Sequence, residues 1–167
     1  ISKLFKINYK INGKLNLNAN KIYSKYDLIN SFESYIKFSN SNILIDKLIL
    51  NLGKLGAADV TGIIETNEKY SNLKFESNVY IDNKKYFTKK FSIFDDKKIS
   101  NNLFTSGSLD LVNFNMRFNE MVSDIKFRED EISFIEKEFN YYMLEDGVVS
   151  FFSFNKFKEF IKSVFSD

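Results

Sequence analysis

From residue 1 to about residue 118, apolar and polar residues alternate along the chain, the period-2 signature of strands with one buried face and one solvated face. Phe5, Ile7, Tyr9 and Ile11 alternate with Lys6, Asn8 and Lys10. Asn12-Gly13 follows, a pair suited to a two-residue hairpin turn because both residues tolerate positive φ, and Leu15, Leu17 and Ala19 resume the apolar face against Asn16, Asn18 and Asn20. Phe32, Ser34, Ile36 and Phe38 lead to a polar turn over residues 39–42, and Leu44, Leu48, Leu50 and Leu52 run from there to a turn between Gly53 and Gly56. Val60, Gly62 and Ile64 form the next strand, and Leu73, Phe75, Ser77, Val79 and Ile81 the one after it. A turn at Asp82-Asn83 introduces a predicted strand with Phe87, Phe91 and Ile93; Leu109, Leu111, Phe114, Met116 and Phe118 belong to the last strands. Short strands spaced about ten residues apart predict an antiparallel meander.

The period then changes. Ile132, Ile135, Phe139, Tyr142 and Met143 recur at helical spacing up to Gly147, a C-terminal cap, and Phe157, Phe160, Ile161, Val164 and Phe165 make a second helical stripe after Asn155, read as its N-cap. The expectation is a mostly β, α+β fold: a curled antiparallel sheet over residues 1–119, followed by two amphipathic helices over residues 120–167 that cap it.

Composition narrows the chemistry. The 167 residues include no Cys and no His, which removes disulfides, thiol nucleophiles, the commonest general base and most transition-metal ligand sets. No G-x-S-x-G, G-x-x-x-x-G-K or G-x-G-x-x-G motif occurs, so the reading is of a non-enzyme without cofactor or metal. Asp95-Asp96, Glu129-Asp130-Glu131 and Glu145-Asp146 lack the loop spacing of a hard-cation site; the second triplet suits the first turn of a helix. Net charge is +2, too weak to attract nucleic acid over a distance. Lys84-Lys85-Tyr86-Phe87-Thr88-Lys89-Lys90-Phe91 interleaves bases with aromatics, as nucleic-acid binders and anionic membrane surfaces require, but strand alternation alone also produces it. No apolar run reaches the length of a membrane-spanning helix. The chain starts at Ile1 rather than Met and is read as an excerpt of a longer product.

Asn12-Gly13-Lys14-Leu15-Asn16-Leu17-Asn18-Ala19, then Ile43-Leu44-Ile45-Asp46-Lys47-Leu48-Ile49-Leu50-Asn51-Leu52-Gly53, then Gly56-Ala57-Ala58-Asp59-Val60-Thr61-Gly62-Ile63-Ile64, resembles the cadence of the AsmA-like family of bacterial envelope proteins, and Ser106-Gly107-Ser108-Leu109-Asp110-Leu111 looks like a further start of the same unit. The resemblance covers residues 11–111. It implies a long sheet curled into a groove with an apolar concave face, anchored upstream in the inner membrane, crossing the periplasm and guiding phospholipid between inner and outer membranes. The lipid-facing candidates are then Leu15, Leu17, Ile36, Phe38, Leu48, Leu50, Val60, Ile64, Phe75, Val79, Phe91 and Leu109. The ordinary role of these residues is core packing. The alternative is a structural or adhesive β-sandwich whose two faces close on each other and which binds another protein. A further partner surface, toward membrane or another envelope protein, is the stripe Phe157, Phe160, Ile161, Val164 and Phe165.

Overall fold

The structure is a computed structural model and describes residues 10–23, 26, 28–66, 70–94, 99–145 and 153–165. The predicted strand through Phe5, Ile7 and Tyr9, the Asp95-Asp96 pair and the Gly147 cap lie outside these residues. Seven strands, β1 (Gly13–Ala19), β2 (Ser31–Ser39), β3 (Asn42–Asn51), β4 (Gly56–Thr66), β5 (Ser71–Ile81), β6 (Asn102–Asp110) and β7 (Asn115–Val122), make one antiparallel sheet in which spatial order equals sequence order. β1 and β7 do not pair with each other, so the curled sheet stays open. Helix α1 (Lys84–Phe91) lies between β5 and β6; α2 (Glu129–Phe139) runs into a π-helical turn (Asn140–Leu144); α3 is Phe154–Phe165. This is the mostly β, α+β fold that the alternation predicted. All the described strands belong to one sheet, and that overturns the sandwich.

Turn chemistry explains where the meander reverses. Asn40 and Ser41 have φ of 51° and 68°, the left-handed pair that a two-residue hairpin needs, and Ser39 pairs with Asn42 across them. The turn predicted at Asn12-Gly13 does not form: neither residue has positive φ, and Gly13 instead opens β1 opposite Phe38. At the β3–β4 connection Gly56 has φ of 136°, and a Cβ built there would sit 1.8 Å from the Tyr80 carbonyl oxygen, so only glycine fits.

The β6–β7 turn is held by one carboxylate. Asp110 accepts from the Val112 and Asn113 backbone N–H groups at 2.8 and 3.0 Å and from Asn113 Nδ2 at 2.8 Å. Desolvation pushes its pKa up, but the three donors outweigh it and the net shift is downward. A lowered native pKa gives stability that is complete above the unfolded-state value and is lost as pH falls through the native one. Asp110→Ala is therefore expected to lower unfolding free energy by about 1 kcal/mol near neutrality. Urea titrations should show the gap between the two proteins closing below pH 4; a gap that is constant with pH overturns this role.

A β-bulge sets the face of β3. The register with both neighbours shifts around Asp46, so Ile43, Ile45, Leu48 and Leu50 share one side while Leu44 points to the other, opposite Lys37 and Ile63. The strand predicted through Phe87 and Phe91 is a helix. Asn83 is its N-cap, accepting from Tyr86 N at 2.9 Å, and Ser92 closes it in the left-handed region. Phe87 and Phe91 then fall on one helical face, against Leu55 and Ile99. At α3 the cap is Ser153, one residue before the helix, whose Oγ accepts from Lys156 N, rather than Asn155. The acidic triplet occupies the first turn of α2 as predicted, and Glu131 accepts from the Arg128 N–H.

The three α-helices lie over part of the apolar face and join it through rings. Phe75 of β5 meets Phe118 of β7 edge-on at 6.4 Å; Phe118 meets Phe139 of α2 at 5.7 Å; Phe139 meets Phe160 of α3 at 5.3 Å. Phe157 of α3 then reaches Phe91 of α1 at 5.6 Å. Two core clusters, one under α2 and α3 and one around α1, are thereby tied together by α3, whose Phe157 and Ile161 touch both.

Candidate functional site

Cross-strand pairing places side chains in rows across the sheet. One row on the apolar face runs Phe38, Ile43, Ile64, Leu73, Leu109, Met116; the next runs Leu15, Ile36, Ile45, Gly62, Phe75, Gly107, Phe118. A third runs Leu17, Ser34, Leu48, Val60, Ser77, Thr105, Met121, and a fourth Ala19, Phe32, Leu50, Ala58, Val79, Leu103. Eleven of the twelve predicted lipid-facing residues stand on this one face. Phe91 is the exception, because it belongs to α1 and is 1% exposed in the second core cluster.

The face is divided rather than continuous. Ile64 and Leu109 are buried in the core under the helices, with Ile36, Phe38 and Phe75 packed against them, so these five serve the fold. Leu15, Leu17, Leu48, Leu50, Val60 and Val79 belong to neither core cluster. Leu15 and Leu17 are 39% and 43% exposed, and the other four are half-buried. Phe32 and Ile45 complete this patch on β1–β5 and were missed as candidates; the bulge at Asp46 hid Ile45 by breaking the phase of β3. At one end the β1–β2 connection reaches the helices. Tyr26 stacks on Phe154 at 4.5 Å, its carbonyl accepts from Lys90 Nζ at 2.5 Å, and Leu28 joins the second core cluster. What remains is an apolar surface flanked by helices, with β1 as its outer strand.

The two edges of the sheet differ. On β7, Asn140 Oδ1 accepts from Met116 N at 2.7 Å while its Nδ2 donates to Met116 O at 2.9 Å, and Glu136 Oε2 accepts from Phe118 N at 3.1 Å. Helix side chains thus take the place of an eighth strand. β1 pairs with β2 in unbroken register over all seven residues, and among the described residues no side chain caps its outer side in this way.

No protein-family model, curated protein or solved structure matches this chain. The functional reading therefore rests on geometry. The stripe Phe157, Phe160, Ile161, Val164 and Phe165, expected as a partner surface, packs against the two core clusters, with Phe160 buried and the other four half-buried. Among the described residues no helix is long and apolar enough to cross a membrane, and no set of three carboxylates converges on a metal position.

The opposite sheet face is polar on β5–β7, with Tyr80 and Phe104 among the exceptions. There Lys74, Ser108 and Arg117 stand in one row and Asn72, Asp110 and Asn115 in the next, lining with Glu65 and Tyr70 an open concavity of about 630 Å³. Lys74 Nζ lies 2.8 Å from Glu65, and this hydrogen bond holds the Lys74 pKa above its ordinary value. A lysine held protonated by a partner carboxylate is a poor general base.

Proposed function

We propose that this chain is a non-catalytic lipid-binding segment that takes acyl chains on the uncapped half of its apolar sheet face, as part of an AsmA-like envelope protein guiding phospholipid through the periplasm. The observation that carries the reading is the division of one apolar face: half becomes core under the helices, and the rest, from the exposed Leu15 and Leu17 through the half-buried Leu48, Leu50 and Val60, belongs to neither core cluster. Exposed leucines side by side on a sheet are costly in water, at about 25 cal/mol for each Å² that a guest would cover. Acyl chains suit such a surface because they need no hydrogen-bond partner, and the patch is mostly hydrocarbon, with Ser34 and Ser77 among its leucines and valines. The Gly-x-Leu-x-Leu opening of β1 agrees with the AsmA-like cadence.

The test is mass spectrometry of lipid retained after gentle purification. Phospholipid is expected with the native chain. Leu50→Glu should abolish it while leaving the far-UV circular dichroism and cooperative unfolding intact, because Leu50 lies outside both core clusters. Phe75→Glu should instead unfold the chain. No retained phospholipid in the native chain, or undiminished retention in Leu50→Glu, overturns the reading.

A second reading is favoured by the unequal edges: with β7 capped by Asn140 and Glu136 and β1 regular, further strands of another chain or segment would extend the sheet at β1. In that case the apolar patch is an interface with protein.

A further inference from the structure

We propose that one end of the sheet docks on a bilayer surface carrying anionic head groups, with Phe94 as the inserted anchor and the lysines of α1 as head-group contacts. In an antiparallel meander the β1–β2, β3–β4 and β5–β6 connections all emerge at the same end. That end bears α1, the Gly53–Leu55 turn with Lys54, and Phe94.

Phe94 is 103% exposed, although Phe91 and Ile93 just before it are buried. Beyond the left-handed cap at Ser92, Ile93 returns to the core and Phe94 leaves it. Singly exposed hydrophobic residues are ordinary on protein surfaces. Two further observations set this one apart.

The first is charge. Residues 84–94 hold four lysines and no acidic residue, a local net charge of +4 in a chain whose total is +2. The helix over Lys84–Phe91 segregates its side chains: Phe87 and Phe91 turn inward, and Lys85 and Lys89 face solvent. Among the described residues Lys54, Lys84, Lys85 and Lys89 form no ion pair, so their charges are not neutralised by a neighbouring carboxylate. The second is a companion aromatic. Tyr23, on the β1–β2 connection at the same end, is 81% exposed, and Lys21 Nζ lies 4.8 Å from its ring centre. Aromatic rings beside lysines match the boundary between acyl chains and phosphate head groups: rings enter the boundary, and ammonium groups stay with the phosphates.

The site is separate from the apolar patch and does not depend on it. Flotation of the whole chain with phosphatidylcholine vesicles, with and without phosphatidylglycerol, tests it. Binding is expected only with phosphatidylglycerol and should weaken as salt rises. Each lysine facing such a surface is worth roughly fivefold in binding. Lys85→Gln with Lys89→Gln should therefore cost about 25-fold, and Phe94→Ser about tenfold. Both sites are exposed, so circular dichroism should not change. Leu50→Glu should float like the native chain even if it has lost its retained lipid, which keeps the two proposals distinguishable. No flotation, equal flotation on pure phosphatidylcholine, or binding unaffected by these substitutions overturns the docking proposal.

Discussion

Phe160→Ala is expected to lower the free energy of unfolding by about 3–5 kcal/mol, the usual cost of truncating a buried aromatic when its surroundings relax only in part. Phe160 is buried in α3, and its ring stands perpendicular to Phe139 at 5.3 Å and tilted against Phe157 at 6.4 Å. It is the joint at which the sheet-side series Phe75, Phe118, Phe139 meets the series Phe157, Phe91, Phe87 around α1. Removing the ring loses its transfer free energy and leaves a void bordered by side chains of α2 and the π turn that are themselves fixed by the sheet. With a urea dependence of about 2 kcal/mol per molar, the midpoint should fall by about 2 M. Phe134→Ala on the exposed side of α2 provides the comparison and should change stability by less than about 0.5 kcal/mol. A midpoint for Phe160→Ala that matches the Phe134→Ala value would show that the two core clusters do not depend on this ring.

The aromatic joint also shows why part of the fold could be read in the sequence and part could not. Period-2 alternation is a local property, and it located β2, β4 and β5 with the correct residues on the apolar face, as in Phe32, Ser34, Ile36 and Phe38. Helical spacing located α2 and α3 for the same reason. Residues 84–91 were misread because aromatics and bases interleave there; a period of two would put Lys85 and Lys89 on the face of Phe87 and Phe91, whereas the i,i+4 spacing of the two rings and Asn83 as an N-cap both signal the helix. In β3 a single inserted residue, Asp46, reversed the phase halfway along, so Leu44 was grouped with the wrong face.

The candidate site was legible only as a face. Sequence pattern assigns Leu15 and Leu109 the same apolar character, yet Leu109 is core and Leu15 is exposed, because α2 and α3 cover one half of the sheet. That choice depends on long-range packing: the stripe of α3 is satisfied by two clusters formed from residues far away in sequence. The same reason explains why the α3 stripe packs on the core clusters, while the exposed aromatic Phe94 carries no periodic signal at all.

Asn140→Ala is expected to cost about 2–4 kcal/mol and to make the protein associate. One amide at the start of the π turn satisfies both the N–H and the C=O of Met116 on the outer side of β7, at 2.7 and 2.9 Å. A neighbouring strand would supply the same pair of bonds. Alanine leaves a partly buried donor and acceptor without partners, and each such group costs about 1–3 kcal/mol. It also opens an edge that Glu136 alone then guards through Phe118 N, so strands of other molecules can pair there. Sedimentation velocity should show the sedimentation coefficient of the variant rising with concentration while that of the native chain stays constant. Asn140→Asp distinguishes the hydrogen bonds from the loss of side-chain bulk. An ionised aspartate still accepts from Met116 N but faces the Met116 carbonyl with no proton to donate, so near neutrality this variant should be as unstable as alanine. A protonated aspartate donates again, which favours the neutral acid in the folded state and raises its native pKa above the unfolded value. The stability so gained is complete below the unfolded-state pKa and is lost as pH rises through the native one. Asn140→Asp should therefore gain on Asn140→Ala below about pH 4; parallel stability curves for the two variants would mean that the amide does not cap the edge.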